Sequence, residues 1–266
     1  MKLSTQLLNI HKRTFLTIIM ILTFLWSLLS VQWGNDVIHS GGSTTILQIV
    51  TALFNPDLSP EILKLALISS WRTLAYAVCG MTLALCIAFV LGILASGVLA
   101  TDRWSLWLSK NFFRRLLGFM RSIHELVWAW LFVASMGLSP FAAIFAIAIA
   151  YGGTLGRIFA DIINDVPAEP IEALKTTGAS KLHILLYGYL PMAMADMISY
   201  AMYRFECAIR SSTIMSFVGL GGLGYQIHLS LSDLEYNEVW TFMFFLVGLV
   251  VLIDLWSNSL RRRLVA

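Results

Sequence analysis

The sequence predicts an all-α polytopic membrane protein with about six transmembrane helices. Of its 266 residues, 58% are hydrophobic and only 12% are charged, whereas about a quarter of the residues of a typical soluble domain are charged. Several apolar runs reach about twenty residues, the length that a helix needs to cross roughly 30 Å of hydrocarbon. A transmembrane β-barrel would instead show alternating segments of about ten residues. The composition therefore excludes a soluble globular enzyme and indicates one helical membrane domain.

The apolar runs divide the chain into six predicted spans. In order, they cover about residues 14–33, 73–98, 117–136, 141–156, 190–209 and 239–256. The first span is expected to be retained, because the basic N-terminus lacks the short apolar region and cleavage site of a signal peptide. Before the second span we expect a short interfacial helix over residues 44–54 and a separate amphipathic segment over residues 63–72. Gly137 and Pro140 form a turn before span four, since proline is accepted at a helix start.

The distribution of lysine and arginine predicts the orientation of these spans. Six spans place both termini on one side, which carries fourteen Lys and Arg residues, against three on the other side: Lys64, Arg72 and Arg210. Because cytoplasmic loops carry an excess of basic residues, both termini are expected in the cytoplasm. A polar insert at residues 157–187 lies on the same side. Residues 1–70 are then an N-terminal span with a periplasmic or interfacial segment, and residues 71–266 form the core domain.

Ionisable residues inside the predicted spans are functional candidates, because they are expensive in hydrocarbon. Span three carries His124 and Glu125, and Arg121 has the spacing to form an ion pair with Glu125 on one helix face. In span five, Glu206 and Arg210 have the same spacing. A polar stripe follows the helical period of span five: Asp196, Tyr200, Tyr203, Arg204, Cys207 and Ser211. These side chains either line a watery path or neutralise one another and fix the packing.

A glycine-rich segment over residues 211–225 follows span five. Its glycines are Gly219, Gly221, Gly222 and Gly224. Such a segment can form a broken or re-entrant helix, which a membrane protein tolerates where the helix lines a cavity. We expect these glycines to form a gate near the outer half of the membrane, with the Ser211 and Ser212 hydroxyls as weak donors to an anion. The alternative is a flexible turn.

Two apparent motifs carry no chemistry. The glycines formally match GxGxxG, but a dinucleotide site requires a βαβ unit. His124 and Glu125 begin a zinc-type HExxH motif, but Trp128 replaces its second histidine. No GxxxxGK[ST] phosphate loop occurs, so the chain is not expected to bind ATP by itself. We predict no catalytic residue, metal or cofactor in this chain, and a membrane enzyme is disfavoured.

The polar insert contains the segment EALKTTGASKLHILLYGYLP at residues 172–191. Helix-forming residues lead to Gly178, the residue type that most often follows the end of a helix, and Ser180 can cap a second short helix. Pro191 stands near the start of span five, where its missing N–H costs little. This pattern predicts a helix–glycine–helix elbow at the cytoplasmic surface. The alternative is a solvated connector.

The elbow resembles a motif in the permease subunits of binding-protein-dependent ABC importers. That motif reads EAA, three residues, G, nine residues, I, one residue, LP. The matching positions are Glu172, Ala173, Gly178, Leu190 and Pro191. Two positions depart from the motif, with Leu174 in place of the second Ala and Gly188 in place of Ile. The resemblance implies that a pair of ATP-binding subunits docks on the elbow, with ATP and Mg²⁺ on those partners, and that a periplasmic binding protein delivers the substrate.

Two further segments are similar to permeases for phosphonate or phosphite. They are RSIHELVWAWLFV at residues 121–133 and RSSTIMSFVGLGGLG at residues 210–224. That family usually has Pro where this chain has His124. The resemblance implies the type I, methionine-importer-like permease fold, a homodimer in the lipid bilayer of the bacterial inner membrane, and a path for a small oxyanion rather than nucleic acid. The expected path residues are His124, Glu125, Tyr200, Arg204, Glu206, Arg210, Ser211 and Ser212.

A secondary transporter or channel that uses the buried charges without ATP is the alternative function. No internal repeat is visible in the sequence, so an inverted-repeat transporter receives no direct support. The two functions differ in whether uptake requires a partner ATPase.

Overall fold

The computed structural model of the chain describes residues 2–31 and 42–265, and every regular element in these two ranges is helical. In chain order, the helices are α1 Lys2–Ser30, α2 Gly42–Ala52, α3 Pro60–Ser96, α4 Arg103–Trp107, α5 Arg114–Ser122, α6 Glu125–Met136, α7 Pro140–Asn164, α8 Ala168–Thr176, α9 Lys181–Ile184, α10 Leu190–Met215, α11 Leu223–Ser232 and α12 Tyr236–Val265. Three π-helical stretches follow α4, α9 and α10: Leu108–Phe113, Leu185–Tyr189 and Ser216–Leu220. The predicted all-α fold is confirmed.

The chain forms two compact units, Met1–Val50 and Thr51–Ala266. The first unit contains α1, whose side chains from Lys12 to Ser30 are exposed. The helix predicted over residues 44–54 is present as α2, and the predicted end of span one at Trp33 lies outside the described residues. The functional division predicted at residue 70 stays a prediction.

Up to six membrane spans can be formed by the described residues. Four helices are long and apolar enough to cross a bilayer: α1 from Lys12, α3, α7 and α12. Two bent pairs can supply the others. The helical run Arg103–Ser122 meets α6 at 84°, and the run Lys181–Leu220 meets α11 at 53°. The first bend falls inside predicted span three, whereas predicted span five lies within the unbroken α10 and the second bend follows it.

The second span differs from its prediction. We expected a separate amphipathic segment over residues 63–72, but those residues belong to α3, which continues for 37 residues from Pro60 to Ser96. At 1.5 Å per residue this helix is about 55 Å long. No proline or glycine interrupts it before Gly80, and it ends at Gly97, whose φ of 79° is left-handed. The amphipathic pattern marks one end of a long helix and not an independent element.

The core is centred on α7, which packs mainly against α3 through small residues. A Cβ atom at Gly80 of α3 would lie 2.8 Å from Ile147 Cβ. On α7, a Cβ at Gly156 would lie 2.7 Å from Leu117 Cδ2 of α5 and 3.3 Å from Ala88 Cα of α3. Without a hydrophobic force between helices in lipid, such close backbone approach is what favours association. This packing places α3, α5 and α6 around α7.

The predicted elbow is present, with one correction. Helix α8 is followed by Gly178, whose φ is +78°, and the Ser180 hydroxyl accepts the His183 N–H at the start of α9. However, α9 does not end as a separate short helix. It continues through the π-helical stretch Leu185–Tyr189 into α10, so Pro191 lies within one helical run. The wider π-helical turn is the kind of local adjustment that accommodates a proline lacking its N–H.

The two departures from the importer motif contact each other. Gly188 is buried, and a Cβ there would lie 2.9 Å from both Leu174 Cδ1 and Ile171 Cδ1 of α8. The larger Leu174 side chain therefore occupies space that the absent side chain of Gly188 leaves free. The two substitutions therefore compensate for each other in volume.

This compensation predicts a strong interaction between two substitutions. Gly188→Ile should overpack the elbow and destabilise the protein by about 1–3 kcal/mol. Leu174→Ala should leave a gap, and the double variant, which restores the importer motif, should be more stable than the sum of the single changes by at least about 0.5 kcal/mol. Thermal unfolding of the four purified proteins in detergent measures this interaction. Strictly additive losses would contradict it.

Candidate functional site

The break between α10 and α11 requires glycines for two different reasons. Gly219, Gly221 and Gly222 have φ values of +93°, +79° and +102°, which L-residues other than glycine rarely adopt. Gly224 has an ordinary backbone, but a Cβ there would lie 2.0 Å from the Thr213 carbonyl oxygen. The first three predicted gate glycines thus form the break in the helix, as the sequence indicated, and Gly224 lets the start of α11 lie close to the end of α10. Their role as a gate stays a prediction.

Helix α3 supplies partners to backbone groups at this break. The Thr73 hydroxyl accepts the Leu223 N–H at 3.0 Å, and the Tyr76 hydroxyl donates to the Leu220 carbonyl at 3.0 Å. The Ser212 hydroxyl donates to the Thr73 carbonyl at 2.9 Å. Because an unsatisfied backbone group costs several kcal/mol in a bilayer, these bonds hold the break in a defined geometry. Ser212 therefore bonds to the backbone of α3.

A second break separates α5 from α6 at Ile123 and His124. The His124 Nδ1 accepts the Leu126 N–H at 3.2 Å and caps α6, and the Trp128 Nε1 crosses the bend to donate to the Met120 carbonyl at 3.2 Å. The predicted Arg121–Glu125 ion pair on one helix face is wrong. The helix turns by 84° between these two residues, so they do not share a face.

Glu125, at the first position of α6, accepts a hydrogen bond from α10. The Ser211 hydroxyl donates to Glu125 Oε1 at 2.6 Å, and the Tyr151 hydroxyl of α7 lies 2.8 Å from the same Ser211 oxygen. Because Ser211 has one proton and gives it to Glu125, Tyr151 is the donor in the second bond. His124 Nε2 lies 3.7 Å from Glu125 Oε2. A chain of two hydroxyls thus ends on one carboxylate, with an imidazole beside it.

Arg204 lies beside this chain of hydrogen bonds and is surrounded by three tyrosines. Its Cζ is 5.8 Å from the Tyr151 ring centroid, 5.6 Å from that of Tyr200 and 6.0 Å from that of Tyr203. Its Nε donates to the Tyr200 hydroxyl at 3.2 Å. Cation–π contacts of this kind hold a guanidinium without neutralising it. Within the described residues, no carboxylate lies within ion-pairing distance of Arg204.

The other two predicted path charges bind α12. Glu206 is buried and accepts from Arg261 Nη2 at 2.7 Å, and Arg210 lies 4.0 Å from Asp254. The predicted Glu206–Arg210 pair on one face of span five is therefore wrong, because α12 presents the opposite charges from a neighbouring helix. Arg210 lies one helical turn from Glu206, which contacts Arg261. The membrane side of Arg210 stays a prediction.

The predicted path residues divide into three groups. Glu125, Ser211, Tyr200 and Arg204 lie together, with His124 at their edge; Ser212 binds α3; Glu206 and Arg210 bind α12. The sequence analysis missed Tyr151, which joins Ser211 to Arg204. Its only signal is a hydroxyl-bearing side chain within the otherwise small and apolar stretch of α7.

The predicted coupling residues lie on the elbow, outside this cluster. Glu172, Ala173, Gly178 and Pro191 are exposed, and Leu190 is buried. A metal centre finds no support: among the residues that the structure describes, no group of three or more His, Cys, Asp or Glu side chains could hold a metal ion. The expectation that the chain itself carries no cofactor stays a prediction.

Comparison with known proteins matches most of the chain. The family described as "Binding-protein-dependent transport system inner membrane component" matches residues 88–266. HtxC of Stutzerimonas stutzeri, provisionally named a phosphite transport system permease protein, is 34% identical over 255 residues, which cover 94% of this chain and 87% of HtxC. The phosphite transport system permease protein PtxC of the same organism is 32% identical over 190 residues, which cover 71% and 68% of the two chains.

The fold is also that of a solved importer. A chain of the MetNI methionine ABC transporter, in an inward-facing conformation, superposes with a TM-score of 0.69 at 20% identity, and the match covers 78% of this chain and 99% of that chain. The predicted methionine-importer-like architecture is confirmed. The chain therefore belongs to the family of binding-protein-dependent transport system inner membrane components, which are the permease subunits of ABC importers.

Proposed function

We propose that this permease pairs with a second copy of itself to form the path of an importer for phosphite or a related small phosphorus oxyanion, such as a phosphonate. A pair of ATP-binding subunits, carrying ATP and Mg²⁺, docks on the elbow and drives the transport. A periplasmic binding protein delivers the anion. Both termini lie in the cytoplasm of a bacterium, with the chain in its inner membrane.

One observation carries the proposal: a polar face within the membrane-spanning part is open in the single chain. Arg204, Tyr200 and Glu125 are half-buried, Tyr203 is 46% exposed, and the His124 side chain is 63% exposed. Ionisable groups in a membrane face the bundle interior or a water-filled cavity. A second copy placed over this face would enclose it as a path.

The charges on this face suit a path in which an anion binds and is then released. Arg204 attracts a negative charge, but its guanidinium is held by neutral tyrosines and not by a carboxylate. Hydroxyls of Tyr151 and Ser211 offer neutral donors nearby. A conducting path requires binding that is strong enough for entry and weak enough for release. One cation with neutral donors meets that requirement better than a cluster of cations.

The choice of a phosphorus oxyanion depends on the relatives. HtxC and PtxC carry the name of phosphite in their descriptions, and their similarity extends over most of this chain. The geometry supports a small anion in general and does not distinguish among oxyanions.

Uptake by reconstituted protein tests the function. Proteoliposomes containing the permease should accumulate phosphite only with the partner ATPase, ATP and the binding protein. Competition by phosphonates and phosphate would then rank the substrates. Uptake by the permease alone would contradict the proposal and favour the alternative, a secondary transporter or channel.

Docking at the elbow predicts the effect of a single change on α8. Glu172→Ala should reduce ATP-driven uptake at least about tenfold and remove the stimulation of ATPase activity by the loaded binding protein. Folding should persist because the Glu172 side chain is exposed, and exposed substitutions usually change stability by less than about 0.5 kcal/mol. Glu169→Ala, which removes an exposed carboxylate from the same helix outside the motif, is the matched control. Normal coupled transport in Glu172→Ala would exclude this docking contact.

A path beside Arg204 predicts a charge requirement. Arg204→Gln should lower ATP-driven phosphite uptake at least about tenfold, because the only unpaired cation of the tyrosine cluster among the described residues is lost. Arg204→Lys keeps the charge but loses the planar contact with the rings, so it should retain intermediate uptake. Initial rates over a range of phosphite-loaded binding protein measure both effects. Uptake by Arg204→Gln at the rate of the unmodified protein would remove Arg204 from the path.

A further inference from the structure

We propose that the Glu125 carboxylate is a built-in stand-in for the transported oxyanion. The carboxylate occupies the hydroxyl donors of the path until substrate displaces it. The proposal rests on the proposed function, since it concerns the same path. It assigns Glu125 a role that differs from substrate attraction. The residue closes the path to anions when no substrate is being delivered.

The hydrogen-bond directions carry the first step. Ser211 donates to Glu125 Oε1 at 2.6 Å, and Tyr151 donates to Ser211 at 2.8 Å, so the two hydroxyls form a chain that ends on the carboxylate. The His124 Nδ1 accepts the Leu126 N–H, which leaves the proton of the neutral ring on Nε2, 3.7 Å from Glu125 Oε2. One hydroxyl thus donates to the carboxylate directly, a second supports it through Ser211, and the imidazole lies beside it. A small oxyanion in the same place would accept the same Ser211 hydrogen bond.

The surroundings of Arg204 carry the second step. A carboxylate and an unpaired guanidinium both adjoin Tyr151, yet they do not form an ion pair within 4.0 Å in the described residues. The Arg204 guanidinium, whose Nε donates to the Tyr200 hydroxyl, therefore has no carboxylate partner, while the Ser211 and Tyr151 hydroxyls are occupied. An arriving anion would meet Arg204 first and would then compete with Glu125 for Ser211.

A carboxylate in this position also repels anions that enter the path without the binding protein. Two negative charges at short distance repel strongly where water is scarce, so a free anion cannot share the donors with Glu125. Delivery by the binding protein and the conformational step driven by ATP would move Glu125 away from Ser211. Removing the charge of Glu125 should therefore let anions leak.

The experiment measures leakage in the absence of ATP and binding protein. Proteoliposomes containing the complete permease–ATPase complex are loaded with phosphite and mannitol, and the efflux of each is followed by chromatography. Glu125→Gln keeps the shape and an acceptor for Ser211 but removes the charge. Glu238→Gln is the matched control, because Glu238 also accepts a serine hydroxyl, that of Ser230 at 2.7 Å, outside this cluster.

The expected result is selective. Phosphite efflux through Glu125→Gln should exceed that of the unmodified complex at least about tenfold, with mannitol efflux unchanged, and Glu238→Gln should not leak. Glu125→Asp keeps the charge but reaches less far toward Ser211, so its efflux should lie between the two. Phosphite efflux at the level of the unmodified complex, in a Glu125→Gln complex that still performs ATP-driven uptake, would overturn the proposal.

Two other outcomes would also overturn it. If phosphite and mannitol leak together, Glu125 only maintains packing. If Glu125→Gln cannot be recovered as a folded complex, Glu125→Asp decides, and an unchanged phosphite efflux through that variant contradicts the stand-in role. A failure of the proposed function has a different signature, because the unmodified complex would then take up no phosphite with ATP and binding protein.

Discussion

A backbone N–H or carbonyl without a partner costs several kcal/mol in a bilayer, and this constraint determines where the helices of this permease can break. The two breaks in the described membrane region are supplied with partners by other elements. Thr73 and Tyr76 of α3 bond the backbone on either side of the Gly221–Gly222 break, and Trp128 bonds across the bend before α6. Long α3 is thus more than a span. Two side chains three residues apart on this helix hold the break between α10 and α11.

The breaks in turn bring polar groups to one place. The bend before α6 puts Glu125 at a helix start, where it meets Ser211 of α10, and α7 contributes Tyr151 between them. A continuous helix over residues 117–136 would have carried Glu125 on the same face as Arg121 and neutralised it there. The break instead separates the two charges and makes the carboxylate available to hydroxyl donors. The arrangement of this polar cluster therefore follows from backbone geometry as much as from residue type.

Sequence reasoning predicted the features that depend on local chemistry. The elbow, the helix over residues 44–54 and the break at Gly219–Gly224 follow from residues that change backbone preference by themselves. The break at His124 has no glycine or proline at the bend, so no local signal marks it. The ion pairs of Glu206 and Arg210 join residues 55 and 44 positions apart in the sequence, and i, i+4 spacing cannot find them. The Leu174–Gly188 compensation was visible only as two separate departures from a motif, because their contact depends on how α8 lies against the π-helical turn.

The helical continuity between the elbow and the polar cluster offers a means for the proposed docking at the elbow to act on the proposed path. Helical geometry runs from Lys181 through the π-helical stretch and α10 to Met215, with Arg204 and Ser211 on the same run. At 1.5 Å per residue, Ser211 lies roughly 45 Å along the helix from Lys181. Rigid elements that join two sites transmit displacement when each has alternative arrangements. A tilt imposed at the elbow would therefore move Ser211 relative to Glu125, which belongs to another helix. The glycine break beyond Met215 is the first point where that movement can be absorbed, so the hydrogen bond between Ser211 and Glu125 lies on the moving side of the hinge.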